Sequence, residues 1–362
     1  MKRSELARRL VLSLASACVG LALAEGFLRL APGLLPEQAQ LRLHWSGLLE
    51  GATISRRDPT IGFLYPPNAR HELARGDFRF EYHTDSQGFR NREPLPERAE
   101  AVVVGDSLAF GYGVADELAW AALLDERLAP ARVVNLGLIG AGPEQYARVL
   151  ERFGLAFGPR VVLFCLFPAN DVVDARLFDE WLAAGAPGNY DVWRFHGGGA
   201  SALERSTLFH LAREALRGRR AGRGFAPRTI TLVDGSRLRL APNVLAASSA
   251  GAQRGHPDFE RVWGSIARAQ NLAGGIGARF VVVLFPSKEE VYLGAMDEPC
   301  PKPTRAFRRA LADAGAEVLD LTPALQEATK RGQALFFEVD GHPNAAGYAV
   351  IAGAVEAFLR ER

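Results

Sequence analysis

The chain is 362 residues long, 48% hydrophobic and 23% charged, with a formal net charge of +2. These proportions are ordinary for a folded globular chain, and the length permits two domains. So small a net charge argues against a general nucleic-acid binder, which needs a larger basic excess or a basic stripe. Three cysteines do not suggest a disulfide framework.

Lys2, Arg3, Arg8 and Arg9 precede an uncharged run rich in Leu, Ala and Val over residues 10–24. A basic cluster before an apolar run reads as an export or anchoring signal. Ala22-Leu23-Ala24 fits the small-residue cleavage site of a removed signal peptide. The run is also shorter than the roughly 20 apolar residues of a normal membrane span. On the other reading, Glu25 and Arg29 stand i,i+4 and can pair on one helix face. Phe27, Leu28, Leu30, Leu34 and Leu35 then extend the apolar surface into an uncleaved anchor of about 20 to 25 residues. The basic cluster stays on the cytoplasmic side, so either reading exports the remainder of the chain. The expected location is the cell membrane, single-pass, with the main domain periplasmic or extracellular; the alternative is secretion after cleavage. Cys18 comes after Leu14-Ala15-Ser16-Ala17, which only loosely fits a lipoprotein cleavage site. Cys165, in a buried-strand pattern, and Cys300, between Pro299 and Pro301, read as unpaired thiols.

A lead-in segment comes next. Phe78-Arg79-Phe80-Glu81-Tyr82-His83-Thr84 alternates aromatic and polar residues, as a half-exposed strand does. It ends in Asp85-Ser86-Gln87-Gly88-Phe89-Arg90, a turn with Gly available for φ > 0. The segment is expected to pack on the core as a structural element, with Arg90 or His83 shaping the substrate entrance as the alternative.

From there strands and helices alternate: strand 101–105, helix 117–129, strand 131–136, helix 143–154, strand 160–167. Further strands are expected over 278–285 and 316–321, and a closing helix over 344–359. Such alternation implies a parallel sheet with helices on both faces. Residues 172–256 fit this plan poorly and read as an insertion, a lid or subdomain between the third and fourth strands. Thr229 to Leu240 within it reads as a β-hairpin around Asp234-Gly235. Arg213, Arg217, Arg219, Arg220, Arg223 and Arg228 form a solvated face or a contact for anionic lipid or polysaccharide. The predicted organisation is an N-terminal signal or transmembrane anchor over 1–31, a lead-in with a β-hairpin over 32–97, and the catalytic domain over 98–362.

Val102-Val103-Val104-Gly105-Asp106-Ser107-Leu108 places a serine just past a buried strand, at the carboxyl edge where open α/β sheets keep their sites. Gly-Asp-Ser also suits a strand-ending turn. A serine hydroxyl is a poor nucleophile without a base and an orienting group, and Asp340-Gly341-His342 offers both on one tight loop before the last helix. Asn135 to Gly140 and Pro168-Ala169-Asn170-Asp171 each come after a strand-like run and offer a Gly and an Asn as oxyanion donors. His44, His71, His83, His196, His210 and His256 lack paired ligand spacings, so no metal is expected. The glycines of 137–142 are not in dinucleotide-binding order, and no cofactor is implied.

These four blocks, in this order, resemble the SGNH hydrolases, or GDSL family, over roughly residues 98–362. The resemblance implies a flavodoxin-like three-layer fold with strand order 2-1-3-4-5. It implies a catalytic Ser107, His342 and Asp340, with Ser107, Gly140 and Asn170 forming the oxyanion hole. Two departures stand out. Pro168 replaces the usual Gly of the third block, and the acid stands two residues before His342 rather than three, with Val339 at the usual place and Glu338 as the fallback acid. Some membrane-associated acyltransferases of the family resemble the shorter spacing, and anchored members often share the Gly-Phe-Arg element and the basic, apolar, Glu-to-Arg start. The expected activity is that of an exported serine esterase acting on an acyl ester, lipid or acylated glycan. The alternatives are an O-acyltransferase acting on an exported polysaccharide and a non-catalytic envelope binding protein.

Overall fold

The β-branched runs of the sequence form buried strands at the centre of a parallel sheet. A computed structural model describes residues 3–31, 55–74, 77–196, 206, 208–209, 211–212 and 228–361. The chain divides into two compact units, Met1–Thr53 with Val192–Gly222 and Ile54–Asp191 with Arg223–Arg362.

In the first unit, α1 (Arg3–Leu30) runs for 28 residues. Its window Val11–Leu28 has a mean hydropathy of 1.9, long and apolar enough by length and composition to cross a membrane. Glu25 accepts hydrogen bonds from the Ser206 hydroxyl at 2.9 Å and the Leu208 N–H at 3.0 Å. The side chain of Arg29, and with it the expected Glu25–Arg29 pair, lies outside the described residues.

The second unit opens with two small antiparallel ladders, β1 (Arg56–Asp58) with β2 (Gly62–Leu64) and β3 (Arg70–Ala74) with β4 (Arg79–His83). The alternation over 78–84 is realised: Phe80 and Tyr82 are buried while Arg79 and His83 are exposed. The central sheet comprises β5 (Ala101–Val104), β6 (Val133–Asn135), β7 (Val161–Leu166), β10 (Arg279–Leu284) and β11 (Val318–Asp320), all parallel. Its order is β11-β10-β7-β5-β6, the 2-1-3-4-5 arrangement of a flavodoxin-like sheet. Helices cover both faces of such a sheet because every parallel crossover lays one there.

Side chains alternate across each strand. Val103, Leu163, Cys165, Val281 and Val283 pack into one core with Trp120 and Leu124 of α3 (Trp120–Arg127) and Ile351 and Val355 of the last helix. On the other face lie α4 (Pro143–Val149), α5 (Asp171–Ala183) and α6 (Pro257–Gly275), which pack on one another. There Tyr146 of α4 meets Phe164 of β7 at a ring distance of 5.4 Å. Further helices of this unit are α2 (Ser107–Phe110), α7 (Lys288–Ala295), α8 (Pro303–Asp313), α9 (Thr322–Thr329) and α10 (Ala345–Arg360).

The helix expected over 117–129 divides into a 3₁₀ turn at Asp116–Leu118 and α3, because Ala119 is extended between them. That expected over 143–154 passes into a π turn at Leu150–Gly154.

Within 172–256, α5 is a helix of the three-layer core, with Val172, Ala175, Phe178 and Trp181 buried. The hairpin β8 (Arg228–Thr231) and β9 (Arg237–Leu240) turns at Gly235, whose φ of 84° suits glycine, and it delivers Leu238 and Leu240 to the main core. Arg228 pairs with Glu298. Arg213, Arg217, Arg219, Arg220 and Arg223 lie outside the described residues.

Candidate active site

Ser107 comes after β5, between β7 and the edge strand β6, with one connecting turn. Gly105 has to be glycine: a Cβ there would stand 2.7 Å from the Cβ atoms of both Ala109 and Cys165. Only without it can β5 turn so closely over β7 into α2. Asp106 caps α2, its Oδ1 accepting the Leu108 N–H at 2.9 Å. Ser107, 7% exposed, is thereby presented at the carboxyl edge of the sheet.

The loop carrying Asp340 and His342 is closed by the short bridge Phe336↔Pro343, just before the N-terminus of α10. His342 Nε2 is 2.7 Å from Ser107 Oγ, and His342 Nδ1 is 2.5 Å from Asp340 Oδ1. The same oxygen accepts the His342 backbone N–H at 2.8 Å. A two-residue separation produces this double use, because an Asp side chain reaches the N–H two residues on in an Asx turn. Asp340 therefore turns the loop and orients the ring together. Glu338, the fallback acid, faces elsewhere, its Oε1 3.6 Å from Arg239 Nε.

The third block ends β7. Asn170 Nδ2 donates to Asp106 Oδ2 at 3.2 Å, while its Oδ1 is buried with no hydrogen-bond partner among the described residues. The orientation of that amide follows from this contact, in which Asp106 Oδ2 is the acceptor. Burial raises the Asp106 carboxyl above the ordinary carboxylate range, against the lowering effects of Leu108, His342 and Asn170. Behind it Asp171 ties the turn with one oxygen on the Phe167 N–H and the other on the Tyr146 hydroxyl, both at 2.6 Å. Burial pushes its carboxyl well up.

Gly140 is buried with φ 78°, in the turn after β6. The Leu138 N–H bonds the Gly105 carbonyl at 3.0 Å and so holds that turn against the serine block. The backbone N–H groups of Ser107 and Gly140 donate to no acceptor among the described residues.

Such an arrangement can move a proton from the serine hydroxyl to the imidazole and meet developing negative charge with N–H donors. No group of three or more His, Cys, Asp or Glu side chains is placed to hold a metal ion among the described residues. Cys165 is enclosed beneath Gly105, and burial pushes its thiol well above the usual range, so it is no competing nucleophile.

Several supports of the site leave little trace in the sequence. Asp106 reads there as part of a turn, yet it orients Asn170. Arg90, the alternative candidate for the substrate entrance, is 6% exposed and donates to the carbonyls of Gly111 and Val114, each at 2.6 Å. It also bonds Asp116 at 2.6 Å, and His83 Nδ1 lies 2.8 Å from the same carboxylate. Tyr112, in the loop Arg90 holds, has its ring 4.6 Å from that of His342. Lys288 and Asp77 brace the other loop. A carboxylate two residues before its own N–H partner is a local signal; a cation that binds carbonyls leaves none.

Residues 103–350 match the GDSL-like Lipase/Acylhydrolase family, and the chain belongs to that family. Similar solved structures include a member of the lipolytic protein G-D-S-L family from Veillonella parvula, at 15% identity over 72% of this chain and 99% of that one, TM-score 0.38. The lipase/acylhydrolase from Enterococcus faecalis is 14% identical over 73% of this chain and 96% of that one, TM-score 0.36. A catalytic mutant of Axe2, an acetylxylan esterase from Geobacillus stearothermophilus, is 15% identical over 74% and 95%, TM-score 0.34. No curated protein sequence matches significantly.

Proposed function

We propose that the protein is an exported serine esterase that cleaves an acyl ester through an acyl-enzyme on Ser107. The observation that carries this reading is the continuous relay from Asp340 through His342 to Ser107, at 2.5 and 2.7 Å. Ser107 Oγ attacks the ester carbonyl carbon while His342 Nε2 takes its proton, and Asp340 stabilises the imidazolium through Nδ1. The oxyanion is met by the N–H groups of Ser107 and Gly140 and by Asn170 Nδ2. Collapse breaks the bond to the alcohol, which leaves with the proton from His342. His342 then takes the proton of an incoming hydroxyl as it attacks the acyl-enzyme, and returns it to Ser107 Oγ as the ester bond to Ser107 breaks.

With water as that hydroxyl the reaction is hydrolysis; with a sugar hydroxyl it is transfer. Hydrolysis needs nothing beyond the groups named, and we take it as the reaction. The hydropathy of Val11–Leu28 supports a single-pass membrane segment that leaves the catalytic unit outside the cytoplasm.

Incubation with an acetyl ester, with and without a polysaccharide acceptor, tests the reaction. Free acetate that is independent of acceptor is expected, and acyl loss only with acceptor present sinks the esterase reading. Wild type should be labelled by a fluorophosphonate probe and Ser107→Ala should not; no labelling of wild type would favour a binding role. Retention in the membrane pellet after alkaline extraction is expected of an anchored chain, and full release counts against anchoring.

A further inference from the structure

Lys288 is 1% exposed, although lysine is among the residues least often fully buried. It is also the first residue of α7, where the helix dipole disfavours a cation. Burial accordingly lowers the pKa of its ammonium. An apolar side chain would occupy that position at less cost, so the helix itself gives no reason for a lysine.

The reason lies in what the ammonium touches. Lys288 Nζ lies within hydrogen-bond distance of the carbonyl oxygens of four consecutive residues, Phe337, Glu338, Val339 and Asp340, at 3.2, 3.1, 3.1 and 3.0 Å, and its three N–H donors are shared among them. From another side Asp77 Oδ2 accepts the N–H groups of Val339 at 2.7 Å and Asp340 at 3.1 Å. The Arg239 N–H of the hairpin adds a bond to the Glu338 carbonyl at 2.8 Å. Lys288 is itself held firmly, because Ser287 and Glu290 form a capping box and Glu290 also accepts the Thr304 N–H and hydroxyl. The loop thus wraps a point charge carried on a fixed helix end, immediately before His342.

We propose that Lys288, assisted by Asp77, is a positioning residue of the active site: it shapes the 337–340 loop so that Asp340 and His342 meet Ser107 in reacting geometry. This rests on the esterase reading. The short acid-to-base spacing makes the clamp necessary, since one Asp340 oxygen serves both the backbone N–H and the ring of His342, and any shift of the loop disturbs both.

Lys288→Met keeps the length of the stem and removes the charge and the donors. It is expected to lower kcat about a hundredfold, the loss typical of a misplacement of about 1 Å, with KM unchanged. The downfield proton resonance of the His342 Nδ1–H should broaden or vanish, a change that loss of global stability alone would not produce in folded protein. Asp77→Ala should show the same signature with a smaller fall in kcat. Folded Lys288→Met with wild-type kcat and an undisturbed resonance overturns the proposal. If near-UV circular dichroism shows Lys288→Met unfolded, Asp77→Ala decides: a lowered kcat at constant KM and a changed resonance support the clamp, and wild-type values overturn it. Failure of the esterase reading is recognised separately, by wild type that is neither labelled by a fluorophosphonate nor active on esters. The His342 resonance still reports on the clamp in that case.

Discussion

His342 Nε2 stands 2.7 Å from Ser107 Oγ across 235 residues of sequence. Each partner is fixed by its own surroundings, Ser107 by the Gly105 turn and the Asp106 cap, His342 by Asp340 and the clamped loop. The contact is therefore set by the carboxyl edge of the sheet rather than by adjustment of either side chain. Truncating one partner should remove its chemistry without displacing the other.

Members of a relay that act as a unit lose activity together. Ser107→Ala and His342→Ala should each lower kcat by about 10⁶-fold, and the double variant should be no worse than either single one. Asp340→Asn should cost about 10⁴-fold, because an amide favours the wrong imidazole tautomer. Steady-state turnover of an activated acetyl ester at saturating concentration measures all of these. A double variant far less active than both singles would mean that Ser107 and His342 serve separate steps.

On the proposed mechanism Asn170→Ala removes one oxyanion donor, so kcat should fall by about 10²- to 10³-fold while the fold persists. Asn170→Asp should be as inactive, since a carboxylate cannot donate and would face Asp106 at about the present 3.2 Å. Rates paired with near-UV circular dichroism check both, and a fully active Asn170→Ala would remove Asn170 from the mechanism.

Much of this is legible in the sequence, for identifiable reasons. The runs Val102 to Val104 and Val161 to Leu166 form buried strands of a parallel sheet, and continuous apolar residues are what such strands require. The catalytic blocks stand out because each pairs a strand end with turn residues. Spacing alone leaves Glu338 as a rival to Asp340; in the fold it is Asp340 Oδ1 that lies 2.5 Å from His342 Nδ1, while Glu338 Oε1 is 3.6 Å from Arg239 Nε. The clamps formed by Lys288, Asp77 and Arg90 are illegible because their partners are backbone carbonyls and N–H groups, which any residue supplies. The helix Asp171–Ala183 reads as part of an insertion because its apolar residues are interspersed with Asp171, Asp174 and Asp179, of which Asp171 and Asp174 are buried near Tyr146 and Tyr190.

Asp58 gives a pH dependence whose sign can be worked out. Burial alone raises its carboxyl, but hydrogen bonds from the Ile61 and Thr60 N–H groups, Arg152 and the Thr60 hydroxyl outweigh that and hold it at about 2, against an ordinary 3.8. A carboxyl depressed on folding contributes stability that is present above its unfolded pKa and is lost as pH falls through the folded one. Asp58→Asn should therefore unfold at lower urea than wild type at pH 7, and the gap should close as pH falls from 3.8 towards 2. A gap that stays constant over that range would mean that shape, rather than charge, accounts for the loss.

Arg90 shows whether the lead-in is needed for the catalytic unit. Its fork holds the carbonyls of Phe110, Gly111 and Val114, bonds Asp116 at 2.6 Å, and lies 5.1 Å from the Phe110 ring centre. Arg90→Met leaves several buried carbonyls without donors and Asp116 without its cation, so it should destabilise the unit by about 3 kcal/mol. Arg90→Lys should recover little of this, because an ammonium cannot reproduce a planar fork with donors in fixed directions. The held segment lies just past Ser107 and carries Tyr112 against the His342 ring. Activity of Arg90→Met should then fall at temperatures where the variant is still folded. Urea titrations give the stability loss and single-turnover rates the loss of activity, and an Arg90→Met protein as stable and fast as wild type would show that the aromatic contacts alone hold the lead-in to the serine loop.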